Sequence, residues 1–367
     1  MLSNTKKRII FLDMMRALAV LMMVQGHTID TFLGDQYRSF DSPLFNIWYT
    51  IRGFTAPIFM FTSGVAFTYL LRSYPVPFFE NPRVRKGFHR FIILVLLGYL
   101  LRFPTPKMFD FSEVTQDQWL IFFTVDALHL IGFGLLFILS LGYITEKYKL
   151  GDYLVFSFGA LFFFSLFLIT EKINWANFLP IPFAAYFYHG TGSYFPLFPW
   201  AGYVISGAIL GSYLAKNPHS FTSKSFSAKL FLSSVISFFI CYTIHQIENY
   251  FYGQKTFWTD NAALIFYRLG VILLLNSILS YIALRIKTIP EIIKQVGKNT
   301  LFIYVVHVII LYGSAWIPGF AMFYPKTLNI PLSITAALIM IVLMFGIVLL
   351  FERLKTFRRR KFATAEI

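Results

Sequence analysis

Ten stretches of about 20 apolar residues, each long enough to cross about 30 Å of hydrocarbon, limit this chain more than any other feature. They run approximately over residues 9 to 33, 46 to 71, 87 to 103, 118 to 142, 151 to 171, 196 to 215, 226 to 247, 264 to 286, 298 to 317 and 331 to 352. Backbone groups in lipid must be satisfied within the segment, so spans of this length are helices. Hydrophobic residues make up 57% of the 367 positions, charged residues 13%, and the mean hydropathy is +0.64. The expected fold is therefore all-α: a polytopic membrane helix bundle of about ten transmembrane helices. It reads as a single domain over residues 1–367, with a basic tail over 353–367. Between the fifth and sixth runs, the Pro- and Tyr-rich stretch NWANFLPIPFAAYFYHGTGSYFPLFPW has room for a short interfacial or re-entrant helix.

The net charge of +15 could signal nucleic acid, but its distribution argues otherwise. Of 32 Lys and Arg, 23 fall on alternate connections, among them Lys6, Lys7 and Arg8 at the start and Arg353 to Lys361 at the end. Six lie on the opposite set, and Arg16, Arg52 and Arg268 fall inside or at the edge of spans. By the positive-inside rule both termini are cytoplasmic, and the basic excess is a topology signal. The first run is too long and too charged for a cleaved signal peptide, so it is expected to stay in the mature protein. The single cysteine, Cys241, excludes an intrachain disulfide and a thiolate metal cluster, and no metal is expected.

The first span, RIIFLDMMRALAVLMMVQGHTID, carries Asp13, Arg16, His27 and Asp30, although each charge inside a span costs about 2.5 to 3.5 kcal/mol on insertion scales. At about 100° per residue, Arg16 and His27 lie about 20° apart on one stripe and about 16 Å apart along the axis. Asp13 and Asp30 flank them, so all four share one polar face. Asp13 and Arg16 could simply pair to hold the helix in its bundle. His27 suits proton transfer, since imidazole titrates near neutrality.

Three other regions add candidates. In TVDALHLIG, Asp126 and His129 are spaced i and i+3 on one helical face. They could complete a site, or Asp126 could neutralise an arginine such as Arg268. In GKNTLFIYVVHVII, Lys298 and Asn299 open a helix that places Tyr304 and His307 on one face. A lysine beside exposed helix N–H groups favours an anion. The loop RSYPVPFFENPRVRKGFHR holds Arg72, Arg83, Arg85 and Lys86, which serve topology or a phosphate-rich cosubstrate. Pro57 and Gly64 predict a kinked second span packed tightly against the first.

The segments FLDMMRALAVLMMVQGH, APIFMFTSGVAFTYLL, VDALHLIGFGLL, FPLFPWAGYVISGAILG and VGKNTLFIYVVHVII together resemble the transmembrane acyltransferase superfamily. The match is to bacterial membrane proteins with a domain like that of heparan-alpha-glucosaminide N-acetyltransferase, related to the acyltransferase 3 sugar O-acyltransferases. The resemblance covers roughly residues 8 to 315. It implies a multi-pass protein of the bacterial inner membrane that moves an acetyl group from cytoplasmic acetyl-CoA to a sugar amine or hydroxyl on the other side. The lysosomal enzyme has a catalytic histidine in the loop after its first helix. The corresponding GDQYRSFDSPLF here has none, and His27 instead matches the histidine of the O-acyltransferase branch.

On this resemblance, His27, Arg16, Asp13, Asp30, Asp126 and His129 form the catalytic set, with Asp30 or the Asp126/His129 pair orienting His27. Arg72, Arg83, Arg85, Lys86, Lys298, Asn299 and His307 bind the acyl-CoA. The expected partners are acyl-CoA, a glycan or other sugar-containing acceptor and the lipid bilayer, with a homodimer left open. Trp175, Tyr186, Tyr188, Trp258 and Asp260 could hold a sugar or form an aromatic belt. A proton-coupled transporter using the same Asp and His groups is the alternative function, and a non-catalytic export component is a third.

Overall fold

The computed structural model describes residues 9–253, 261–286 and 288–364. Lys6, Lys7, Arg8, Trp258, Asp260 and Lys287 lie outside the described residues. Helix accounts for 76% of the structure, and among the described residues there is no strand. In chain order the helices are α1 (Ile10–Phe32), α2 (Pro43–Arg52), α3 (Thr55–Arg72), α4 (Pro82–Leu101), α5 (Gln116–Phe123), α6 (Ala127–Lys147) and α7 (Asp152–Thr170). They continue as α8 (Ile181–Ala184), α9 (Leu197–Lys216), α10 (Lys224–Tyr252), α11 (Ala263–Ala283), α12 (Glu291–Lys298), α13 (Thr300–Tyr312) and α14 (Ile330–Thr364).

Among the described residues, eight helices are long and apolar enough to cross a membrane, or nine if α12 and α13 form one span bent by 78°. The sequence expectation is about ten. The difference is α4, which has 20 residues but carries Arg83, Arg85, Lys86 and Arg90 in its first half. The ninth expected span also changes: α13 has only 13 residues, about 20 Å, and cannot cross alone. Contacts cluster into two compact units, Met1–Thr55 with Arg285–Ile367, and Ala56–Leu284.

In the first unit α1 is the hub, packed by α2, α12, α13 and α14. Gly297 lets α12 approach α1 closely, because a Cβ there would come within 2.8 Å of the Asp13 carbonyl oxygen. At the other end Arg38 closes α1, donating from Nε and Nη2 to the Leu33 carbonyl at 3.1 and 3.0 Å and from Nη2 to that of Asp30 at 2.5 Å. This satisfies carbonyls that a helix C-terminus leaves without partners.

In the second unit α6 packs on α4, α7 and α9, and α10 pairs with α11. Serines fasten that pair: the Ser227 and Ser280 hydroxyls lie 2.8 Å apart, and Ser234 and Ser237 donate to the Gly270 and Phe266 carbonyls at 2.8 Å. Such bonds between helices are favoured where neither water nor the hydrophobic effect assists. The expected kink at Pro57 is not found. The break falls at Gly53 and Phe54, and Pro57 sits in the first turn of α3, where a missing N–H costs no hydrogen bond. Gly64 does serve close packing, but against α9: a Cβ there would overlap the Val204 carbonyl oxygen.

Candidate functional site

The polar face of α1 is intact in the structure, and its two ends differ. At one end Asp13 is buried and Arg16 half-buried. Gly297 packs on the Asp13 backbone, which brings the C-terminus of α12 to this end. Lys298, the last residue of α12, is exposed and makes no ion pair among the described residues. Asn299 occupies the break between α12 and α13. Its side chain does not cap α13 but donates to the Gln295 carbonyl at 2.9 Å and to Glu352 Oε1 at 3.1 Å.

At the other end His27 meets His307 of α13. His27 Nδ1 and His307 Nε2 are 3.1 Å apart, and the rings stack with centroids at 5.2 Å and an interplanar angle of 27°. His307 Nδ1 lies 2.7 Å from the Ile303 carbonyl oxygen, and its side chain is fully buried. Tyr304 sets its ring edge against His307 at 5.7 Å, and Tyr312 sits edge-on to His27 at 5.9 Å. His27 is only half-buried, and no hydrogen bond to its Nε2 is recorded among the described residues.

This arrangement bears on two sequence expectations. His307, expected among the acyl-CoA ligands, contacts the candidate base His27. Asp30, expected to orient His27, is held by arginines: Oδ2 lies 2.7 Å from Arg52 Nη2 and Oδ1 lies 3.1 Å from Arg38 Nη1. With both carboxylate oxygens so engaged, the neighbour on His27 Nδ1 is His307. Arg52 also packs over Trp48 at 5.7 Å, and Trp48 donates to Gln25 at 3.2 Å, so α2 is fixed to α1 beside the site. The sequence reading missed Arg38, Arg52 and Trp48 as site neighbours. A lone arginine ending an apolar run was the available signal for Arg52.

The remaining candidates belong to the second unit. Asp126 is not on the face of a helix but is the N-cap of α6, which begins one residue later. Its Oδ1 accepts from the backbone N–H of Leu128 and His129 at 2.9 and 3.2 Å and lies 2.9 Å from His129 Nδ1. A carboxylate only accepts, so His129 Nδ1 donates to it, and the Asp126 N–H 3.3 Å from the same nitrogen meets no lone pair there. Asp126 also pairs with Arg102 at 3.3 Å, not with Arg268, which lies over Trp200 at 5.2 Å. His129 is fully buried, with the Tyr99 ring at 4.4 Å and Gly98 so close that a Cβ would overlap the imidazole.

Arg72 is likewise committed inside the unit. Its Nη2 lies 2.6 Å from Asp152 Oδ1 and 2.5 Å from Thr145 Oγ1, and Asp152 also takes Ser212 at 2.6 Å and Lys216 at 3.0 Å. Arg72, expected among the acyl-CoA ligands, therefore takes part in an ion pair inside the unit. Arg83 is half-buried over Tyr74 at 5.6 Å, whereas Arg85 and Lys86 are exposed.

The fold and this site define a multi-pass helical membrane protein with a histidine pair set against one of its spanning helices. The sequence profile of the catalytic domain of heparan-alpha-glucosaminide N-acetyltransferase matches residues 8–247, about two-thirds of the chain, and the chain belongs to that family. The matched range includes α1 with His27 and ends before α13 with His307. No match was found among curated proteins.

Proposed function

We propose that this protein is a membrane-bound acyltransferase that moves an acetyl group from acetyl-CoA, on the cytoplasmic side, to a sugar amine or hydroxyl on the other. The observation that carries this reading is His27, a half-buried imidazole whose Nε2 makes no hydrogen bond among the described residues, on a spanning helix within the residues matched by an acetyltransferase family. A group at that position does the work acyl transfer needs. His27 Nε2 takes the proton from the acceptor as its nitrogen or oxygen attacks the thioester carbonyl, and returns it to the sulfur as the C–S bond breaks. The same nitrogen is the one that would carry the acetyl group in a two-step route.

Arg16 lies about 16 Å along the helix from His27, a span comparable with an extended pantetheine arm. Lys298, exposed and outside any ion pair among the described residues, has the charge to meet phosphate at the Arg16 end. Arg85 and Lys86 are the remaining phosphate candidates, whereas Arg72, Asn299 and His307 have internal partners.

The test is to incubate the purified protein with radiolabelled acetyl-CoA and a panel of amino sugars and neutral sugars. Wild type transfers label to the sugar, and His27→Ala lowers the rate by at least about 100-fold, the lower range for a general base. Undiminished transfer by His27→Ala would overturn the assignment. A substrate flux driven by a proton gradient, without binding of acetyl-CoA, would favour a transporter instead.

A further inference from the structure

Which nitrogen of His27 is available to a substrate depends on where its proton sits, and hydrogen-bond direction fixes this from three atoms. A carbonyl oxygen only accepts, so the His307 Nδ1 that lies 2.7 Å from the Ile303 oxygen must carry a proton. In the neutral ring His307 Nε2 then holds a lone pair. The 3.1 Å contact to His27 Nδ1 is therefore a hydrogen bond that His27 donates. With its proton on Nδ1, neutral His27 keeps its lone pair on Nε2, the nitrogen that makes no recorded hydrogen bond among the described residues.

We infer that His307 is a positioning residue that holds His27 in the Nδ1–H tautomer and thereby makes Nε2 the reactive nitrogen. The inference rests on the acyltransferase reading for its kinetic consequence, but not for the tautomer itself. The arrangement has the logic of a catalytic histidine steered by a carboxylate, with a neutral imidazole in the carboxylate's place. Among the described residues no carboxylate meets His27 Nδ1, and both oxygens of Asp30 are occupied by Arg38 and Arg52.

A neutral partner also suits the environment. His307 is fully buried, where a fixed charge is costly. When His27 Nε2 gains a proton from the acceptor, its Nδ1–H bond to His307 becomes charge-assisted and stronger.

Two substitutions separate positioning from packing. His307→Leu removes the acceptor but keeps an apolar side chain, whereas His307→Gln supplies an amide oxygen that can accept from His27 Nδ1–H. The expected result is at least an about 100-fold fall in kcat for His307→Leu, with KM for acetyl-CoA within about twofold of wild type. His307→Gln is expected to recover kcat to within about tenfold of wild type. Equal losses in both variants, or no loss in either, would overturn the inference. Nitrogen-15 NMR of the histidine-labelled protein reads the tautomer without turnover. Wild-type His27 should be protonated at Nδ1, and in His307→Leu the population should move toward the Nε2–H form. A wild-type His27 protonated at Nε2 would refute the inference even if acetyl transfer is confirmed. A protein with no acetyl transfer but an Nδ1–H His27 would refute the acyltransferase reading and leave the tautomer assignment standing.

Discussion

His27 and His129 have the same local sequence grammar, a histidine and an aspartate three residues apart at or within an apolar helix, and they end in different chemistry. Asp126 bonds His129 directly because it is the N-cap of α6, and capping turns the two side chains toward each other. Asp30 lies one turn further along α1 than His27 and is drawn to Arg38 and Arg52, so His27 takes its partner from α13. His129 is fully buried between Tyr99 and Gly98, whereas His27 is half-buried with a nitrogen to spare. Spacing alone does not bring a titratable pair together: the helix boundary and the cations nearby decide which partner each histidine meets.

This contrast can be broken or sharpened by substitution. The largest stability effect is expected from Asp126→Ala, which removes the cap of α6, the partner of His129 and the counter-ion of Arg102 together. Breaking a buried pair and a cap predicts a loss of about 3 kcal/mol or more, read as a lower thermal midpoint in detergent. A midpoint within a degree of wild type would remove the structural role given to this pair. Gly98→Ala follows, at about 2 kcal/mol, because the added methyl overlaps the His129 ring. Pairing it with His129→Ala, which opens the space, should recover part of the loss, and strict additivity would contradict the contact. Asp30→Asn ranks last. Its carboxylate is about one-third exposed, so the ion pairs to Arg38 and Arg52 contribute about 1 kcal/mol after solvent screening. The thermal midpoint should drop by only a few degrees, and a collapse of the fold would show that the cluster matters more than its exposure suggests.

Much of the fold was readable because membrane helices announce themselves locally. The polar stripe of α1 needs only a residue spacing, and it is present as expected. The features that escaped are those set by chain segments far apart or by where a helix begins. His27 and His307 are 280 residues apart, and no local period links them. Arg52 reaches Asp30 across 22 positions for the same reason. The start of α6 was available in principle: Asp-Ala-Leu-His before an apolar run is a capping pattern, but the apolar residues before it made one continuous span look natural. The ninth expected span begins where the bend at Asn299 falls, and it comes out short because α13 ends at Tyr312, before Gly313. Among the donor candidates, Arg72 meets Asp152, which lies 80 positions on, across a helix interface.

The central proposal is that His27 acts on substrate whereas His129 holds the fold. Initial rates of radiolabelled acetyl transfer from acetyl-CoA to an amino sugar, measured in parallel for His27→Gln and His129→Gln at equal amounts of folded protein, test it most directly. The account predicts a loss of at least about 100-fold for His27→Gln and a rate within about threefold of wild type for His129→Gln. Comparable losses in the two variants, or full activity in His27→Gln, would contradict it.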